Sequence, residues 1–106
     1  MLYDTRWDAQ TKESELVEGL KRARAMIEDR WCPQGGSDDK GGVCAIVALG
    51  AGVGPENGLF EYGRHALHAA IPLPLTASIP EWNDTPGRTQ AEVISAFDRA
   101  IELARR

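Results

Sequence analysis

The stretch VCAIVALGAGVG, Val43 to Gly54, decides the fold. Read as a strand running into a glycine loop, it makes the chain a nucleotide-binding α/β protein. Read as a short buried helix, it leaves a chain built of helices. The glycines fall as Gly50-x-Gly52-x-Gly54, not in the G-x-G-x-x-G spacing that the tight turn and the pyrophosphate contact need. The next residues, Pro55-Glu56-Asn57-Gly58, are poor material for opening a helix against a phosphate. No acidic residue closes a clear second strand about 20 residues later. The alternative is an Ala-rich helix from about Gly42 to Leu49 or Ala51, ended by its glycines. An apolar run this short has no decisive period. Both readings stand on the residues alone.

The flanks are easier. Leu16, Leu20, Ala23 and Ile27 recur at helical spacing and Trp31 continues the row, which predicts a helix from about Ser14 to Arg30. Thr11 or Ser14 can cap it. Glu13, Glu15 and Glu18 come early and Lys21, Arg22, Arg24 and Arg30 late, an order that complements the helix dipole. Gly19 costs about 1 kcal/mol relative to alanine inside a helix, and it permits a close approach by another element. Residues 1–10 read as a polar arm carrying Tyr3 and Trp7. Trp31 to Gly42 reads as a Gly-rich loop, with Pro33 stopping the helix before it.

Leu59 to Ala70 predicts a further helix, with Asn57 as its cap and Leu59, Tyr62, Ala66 and Ala69 as its apolar row. Ile71 to Pro80 holds three prolines and reads as an extended strap across the core. The last helix begins near Thr89, where Thr89-x-x-Glu92 is a capping box. Val93, Phe97, Ala100 and Ala104 form its stripe, with Ile94 and Ile101 beside it. The expected fold is mainly α: a compact single-domain bundle of about four helices, with a Gly-rich loop and a proline-rich extended segment.

Composition bounds the function. The chain has 106 residues and a net charge of -4, from 12 basic and 16 acidic side chains. That balance opposes non-specific nucleic-acid binding, which needs a basic face. No apolar run approaches the ~20 residues of a membrane span. The start of the chain lacks the pattern of a signal peptide, so the expected compartment is the cytoplasm. There Cys32 and Cys44 read as thiols.

Chemistry-bearing residues are few. Cys32, Cys44, His65 and His68 could supply metal ligands, but no tight C-x-x-C pair is present. Buried thiols and surface histidines are the simpler reading, so no metal and no cofactor are expected. Cys44, near the start of its segment, is the better placed thiol for a nucleophile. The carboxylates Asp38, Asp39, Glu56, Glu61 and Asp84 are scattered, with no evident acid/base pair. The stretch EWNDTPGRTQAEV, Glu81 to Val93, is the most organised. Trp82, Asn83, Asp84, Arg88 and Thr89 are its ligand-binding candidates, because a helix start beside an arginine attracts anions. Against this, Trp82 suits the core, Asn83 and Asp84 suit loop backbone, Arg88 suits an acid partner, and the capping box competes for the same N–H groups.

Three places resemble a family of small uncharacterised bacterial and phage proteins. Trp31 precedes Gln34-Gly35, Gly42-Val43-Cys44-Ala45 leads an apolar segment, and Trp82-Asn83-Asp84, Gly87-Arg88-Thr89 and Asp98-Arg99-Ala100 form a C-terminal signature. The resemblance implies a helical domain, which tips Val43 to Leu49 toward helix, and it implies no activity. No catalytic residue carries over. The leading expectation is a non-enzymatic binding or regulatory module, phage-associated, meeting a protein partner through the Gly-rich loop and the Trp82–Arg88 turn. One alternative is a binder of a small anionic or nucleotide-like ligand at the Arg88–Thr89 helix start. Another is a small hydrolase or transferase using Cys44 or His65 and His68. The oligomeric state stays open on the residues; an Ala-rich helix and Gly19 would allow a dimer through a helix face.

Overall fold

The computed structural model describes residues 5–32, 42–54, 58–71 and 78–105, with side chains from Ser14 onward. Within these residues the chain forms helices α1 (Thr5–Arg30), α2 (Ala45–Val53), α3 (Leu59–Ala70), α4 (Ile79–Asn83) and α5 (Gln90–Ala104), and no strand. The mainly α reading holds, and the helix reading of Val43–Gly54 holds as α2, Ala45–Val53. The Gly-rich loop, Asn57 and most of the proline-rich strap lie outside the described residues, as do the side chains of Tyr3 and Trp7.

Helix α1 starts at Thr5, well before the expected Ser14. Neither Gly nor Pro interrupts Thr5 to Glu18, so nothing local stops the helix there, and Thr11 and Ser14 are interior rather than caps. The expected row faces inward: Leu20, Ala23 and Ile27 are buried, with Val17 beside them. Helix α1 packs against α2 and α5, and α3 packs against α5 and α2.

The glycines of α2 do not end it. Gly50 and Gly52 lie inside the helix, which runs to Val53 and stops at Gly54, φ 80°. The reason is the crossing with α1. A Cβ on Gly52 would lie 2.7 Å from the Ala23 backbone nitrogen and would overlap the Gly19 carbonyl oxygen. A Cβ on Gly19 would lie 2.8 Å from the Val53 Cα. The paired glycines let two backbones touch, at a cost in helix propensity of about 1 kcal/mol each. Arg22 clamps the crossing: its Nε–H donates to the Gly52 carbonyl at 2.9 Å, covering an orphan group near the end of α2. The face containing Gly19 is therefore covered by α2 within the same chain.

Helix α3 keeps its expected bounds but not its expected row. Leu59, Gly63 and Leu67 are the buried residues, while Tyr62 is 64% exposed and Ala69 is also exposed. Gly63 is the reason, because a Cβ there would meet Leu49 Cδ1 at 3.0 Å. A glycine contributes nothing to an apolar pattern, yet it sets which face comes closest. The N-cap is Gly58 in the left-handed region, φ 74°.

The end of the strap is also corrected. Ile79 and Pro80 open α4 instead of extending. Ser78 caps it by accepting the Glu81 N–H at 3.2 Å. Proline is tolerated there because a first-turn residue needs no intrahelical donor. Helix α5 follows the sequence closely, with Val93, Ala96, Phe97, Ala100 and Ile101 buried. Among the described residues, no helix is long and apolar enough to cross a membrane.

Candidate functional site

The end of α1 meets the start of α5, and the chain just beyond it meets the lead-in to α2 and the last residue of α4. Beyond Arg30 the chain extends, and Trp31 pairs with Val43 as an isolated parallel bridge. The Val43 N–H donates to the Arg30 carbonyl and the Cys32 N–H to the Val43 carbonyl, both at 2.8 Å. In a continuing parallel ladder the Ala45 N–H would next donate to the Cys32 carbonyl. The Asn83 side-chain amide sits between those groups instead. Its Nδ2 donates to the Cys32 carbonyl at 3.2 Å, and its Oδ1 accepts the Ala45 N–H at 3.0 Å. Asn83 thus replaces one peptide of the ladder, ends the pairing, and caps the first turn of α2. Oδ1 also accepts from Trp31 Nε1 at 2.8 Å, and Nδ2 also donates to Asp84 Oδ1 at 3.0 Å. An amide has two acceptor and two donor places; all are filled, and Asn83 has no exposed surface.

The neighbouring candidates hold the turn. Arg88 stacks over the buried Trp82 ring, 4.3 Å from its centroid. Its Nε donates to the Trp82 carbonyl and its Nη1 to Glu92, both at 2.9 Å. The Arg88 N–H closes the turn on the Thr85 carbonyl at 3.0 Å. Gly87 supplies the positive φ, 86°, that this turn requires. The capping box forms as expected: Thr89 Oγ1 accepts the Glu92 N–H at 3.2 Å, and Glu92 accepts the Thr89 N–H at 2.9 Å. The Thr89 backbone N–H, then its hydroxyl, then the Arg88 charge hold the Glu92 carboxyl below its ordinary value.

One further residue joins this hub without any sequence signal. Gln90 Nε2 donates to the Ile27 carbonyl at 2.7 Å and to the Glu28 carbonyl at 3.0 Å. It covers last-turn carbonyls of α1 from the first residue of α5. The need for such a donor is general; its address, more than 60 residues away, is visible only in the fold.

Beside the hub lies an open groove of about 520 Å³ between the end of α3, α4 and α5. Its floor is apolar, with Ala70, Ile71, Trp82 and Ala96, and its rim carries Arg88, Glu92, Ser95 and Arg99. Trp82 and Arg88 therefore reach both the structural hub and an accessible surface. Asn83, Asp84 and Thr89 do not line the groove.

The other candidates do not assemble. Cys32 and Cys44 are buried and lie outside any disulfide. His65 is exposed, and His68 lines a second cavity of about 350 Å³ with Ile46, Phe60 and Arg64, which Cys44 does not line. Among the described residues, no cluster of three or more His, Cys, Asp or Glu could hold a metal ion. Glu61 faces Arg64, whose guanidinium holds its carboxyl below the ordinary value.

Neither a curated protein nor a solved structure gives a match to this chain. A family model does, described as a family of unknown function and matching residues 11–103. The match takes in α2, the Asn83 hub and the groove alike, and the chain belongs to this family, DUF6197.

Proposed function

We propose that the protein is a non-enzymatic binding module that meets a protein partner through the groove between α3, α4 and α5. One observation carries this reading: the groove joins an apolar floor to two guanidinium groups, Arg88 and Arg99, on rigid elements. Apolar area supplies affinity and the charges supply orientation, as in protein interfaces where arginine and aromatic residues act as anchors. Arg88 is held by its stack on Trp82 and by two hydrogen bonds, so little freedom is lost when a partner arrives. Two thiols rather than a disulfide at Cys32 and Cys44 fit the proposed cytoplasmic setting.

An anion at the Arg88–Thr89 helix start has less support. The Glu92 N–H is taken by Thr89 Oγ1, and the Glu92 carboxylate, beside it, would repel an incoming anion. A Cys44 or histidine nucleophile has less support still, because Cys44 is buried apart from the cavity that His68 lines.

The test is affinity capture from native lysate with tagged wild type and Arg99→Glu, compared by quantitative mass spectrometry. The expected result is a near-stoichiometric protein that the variant fails to recover. Equal recovery by both, or no such protein, rejects the groove as the partner surface.

A further inference from the structure

We infer that Cys32 and Cys44 are a redox pair, thiols at rest and joined by a reversible disulfide when a peroxide oxidises the protein. The inference stands apart from the groove. It rests on the junction where the chain leaves α1 and enters α2.

Register is the first reason. Trp31 and Val43 are partners in a parallel bridge, so the next residue on each side, Cys32 and Cys44, are register mates. The hydrogen bond from the Cys32 N–H to the Val43 carbonyl, 2.8 Å long, links the backbone between their Cα atoms. Cys44 keeps an extended backbone, φ -88° and ψ 173°, before α2 begins. Neighbouring strands lie about 4.8 Å apart, within the Cα separation of about 4.4–6.8 Å that a disulfide spans. Side chains alternate along a strand, so register mates share a face.

Rigidity is the second reason. The Cys32 carbonyl accepts from Asn83 Nδ2 at 3.2 Å, and the Cys44 carbonyl accepts the Ala48 N–H at 2.9 Å. On either side of Cys44, the Val43 N–H donates to the Arg30 carbonyl and the Ala45 N–H to Asn83 Oδ1. Both backbones are held before any reaction, so little ordering remains when the sulfurs join. Burial is the third. Cys32 is 4% exposed and Cys44 3%, which excludes bulky reagents and leaves a small peroxide as the oxidant. A sulfenic acid formed there meets the neighbouring thiol before a second oxidant.

The chemistry balances as two thiols and one peroxide giving one disulfide and two waters. One cysteine, as its thiolate, attacks a peroxide oxygen; the S–O bond forms, the O–O bond breaks, and the leaving hydroxide takes up the thiol proton. The other sulfur attacks the sulfenic acid; the S–S bond forms, the S–O bond breaks, and hydroxide leaves as water with the second thiol proton. A small thiol reverses the bond by exchange. In the reducing setting proposed above the pair rests as thiols, as the structure holds it.

The test treats the full chain with hydrogen peroxide under native conditions, alkylates the remaining thiols, and digests with trypsin without reduction. Lys40 gives a cleavage site between the cysteines, so the bond appears as peptide 31–40 joined to peptide 41–64. The expected result is this linked pair from monomeric protein, abolished by dithiothreitol. The oxidised chain should also unfold about 10 °C above the reduced one, because the bond fits the native register. Cys32→Ala and Cys44→Ala should each abolish the peroxide-dependent rise. The wild-type map decides the matter even where an alanine chain fails to fold. Sulfinic acids alone, bonds only between two chains, or a bond that forms only in urea overturn the inference. So does a Cys32–Cys44 bond that leaves the unfolding midpoint unchanged or lower.

Discussion

Replacing Asn83 by alanine removes four hydrogen bonds at once. The losses are unequal. The Ala45 N–H and the Cys32 carbonyl bond to Asn83 in a buried setting, and a buried polar group left without a partner costs about 1–3 kcal/mol. The Trp31 indole is partly exposed and can turn to water, so its loss is nearer the roughly 0.5–1.5 kcal/mol of an ordinary net hydrogen bond. Asp84 is half-exposed and regains solvent. The sum for Asn83→Ala is about 2.5–7.5 kcal/mol, a large part of the roughly 5–15 kcal/mol by which a domain is stable. Asn83→Asp separates shape from hydrogen bonding. It keeps the acceptor for Trp31 and Ala45, but its second oxygen would face the Cys32 carbonyl and the Asp84 carboxylate. The introduced carboxyl is therefore raised above its unfolded value in the folded state, so its penalty is smallest at acid pH and grows as pH rises through the carboxylate range. Urea unfolding followed by far-UV circular dichroism measures both variants, with the Asp variant repeated across pH. A loss below about 1 kcal/mol for Asn83→Ala, or an Asp variant as stable as wild type at neutral pH, would refute the wedge argument.

Other consequences are as direct. Gly19→Ala gains about 1 kcal/mol of helix propensity but drives a Cβ to 2.8 Å from the Val53 Cα. Overpacking costs about 1–3 kcal/mol, so thermal unfolding should show net destabilisation; a stabilised variant would mean that α1 and α2 separate easily. Gln90→Ala uncovers the Glu28 carbonyl and leaves the Ile27 carbonyl with the Trp31 N–H, and should cost about 1 kcal/mol, with faster amide exchange confined to the last turn of α1; unchanged exchange there refutes the cap. Glu92 has a carboxyl lowered from its ordinary value of 4.5, first by the Thr89 N–H. A depressed folded value gives stability that is present above the unfolded value and lost as pH falls through the folded one. The unfolding midpoint of wild type should therefore fall more steeply on acidification than that of Glu92→Gln, while Glu61, lowered by Arg64, acts in the same sense in both. Parallel curves would show that the capping box does not couple to pH.

The sequence by itself determined the helices that carry their own signals. Leu20, Ala23 and Ile27 repeat at helical spacing, Leu59 to Ala70 has no internal proline, and Thr89 with Glu92 marks a helix start to the residue. These follow from interactions spanning three or four residues, which a linear reading sees. It also marked the Glu81–Val93 stretch as organised, and its structural reading of Trp82 and Arg88 matches their contacts. The tertiary structure decided what distant partners settle. Gly52 looks like a helix stop until Gly19 is set against it, some 30 positions earlier in the chain, and Gly50 until Phe60 of α3 is set beside it. Tyr62 looks like core until Gly63 brings the adjacent face to Leu49. Asn83 looks like a turn residue or a ligand contact, because nothing near it shows that its amide will stand in for a peptide between Cys32 and Ala45, 51 and 38 positions away. A side-chain amide has the same donors and acceptors in either role, and only the groups brought against it by the fold select one.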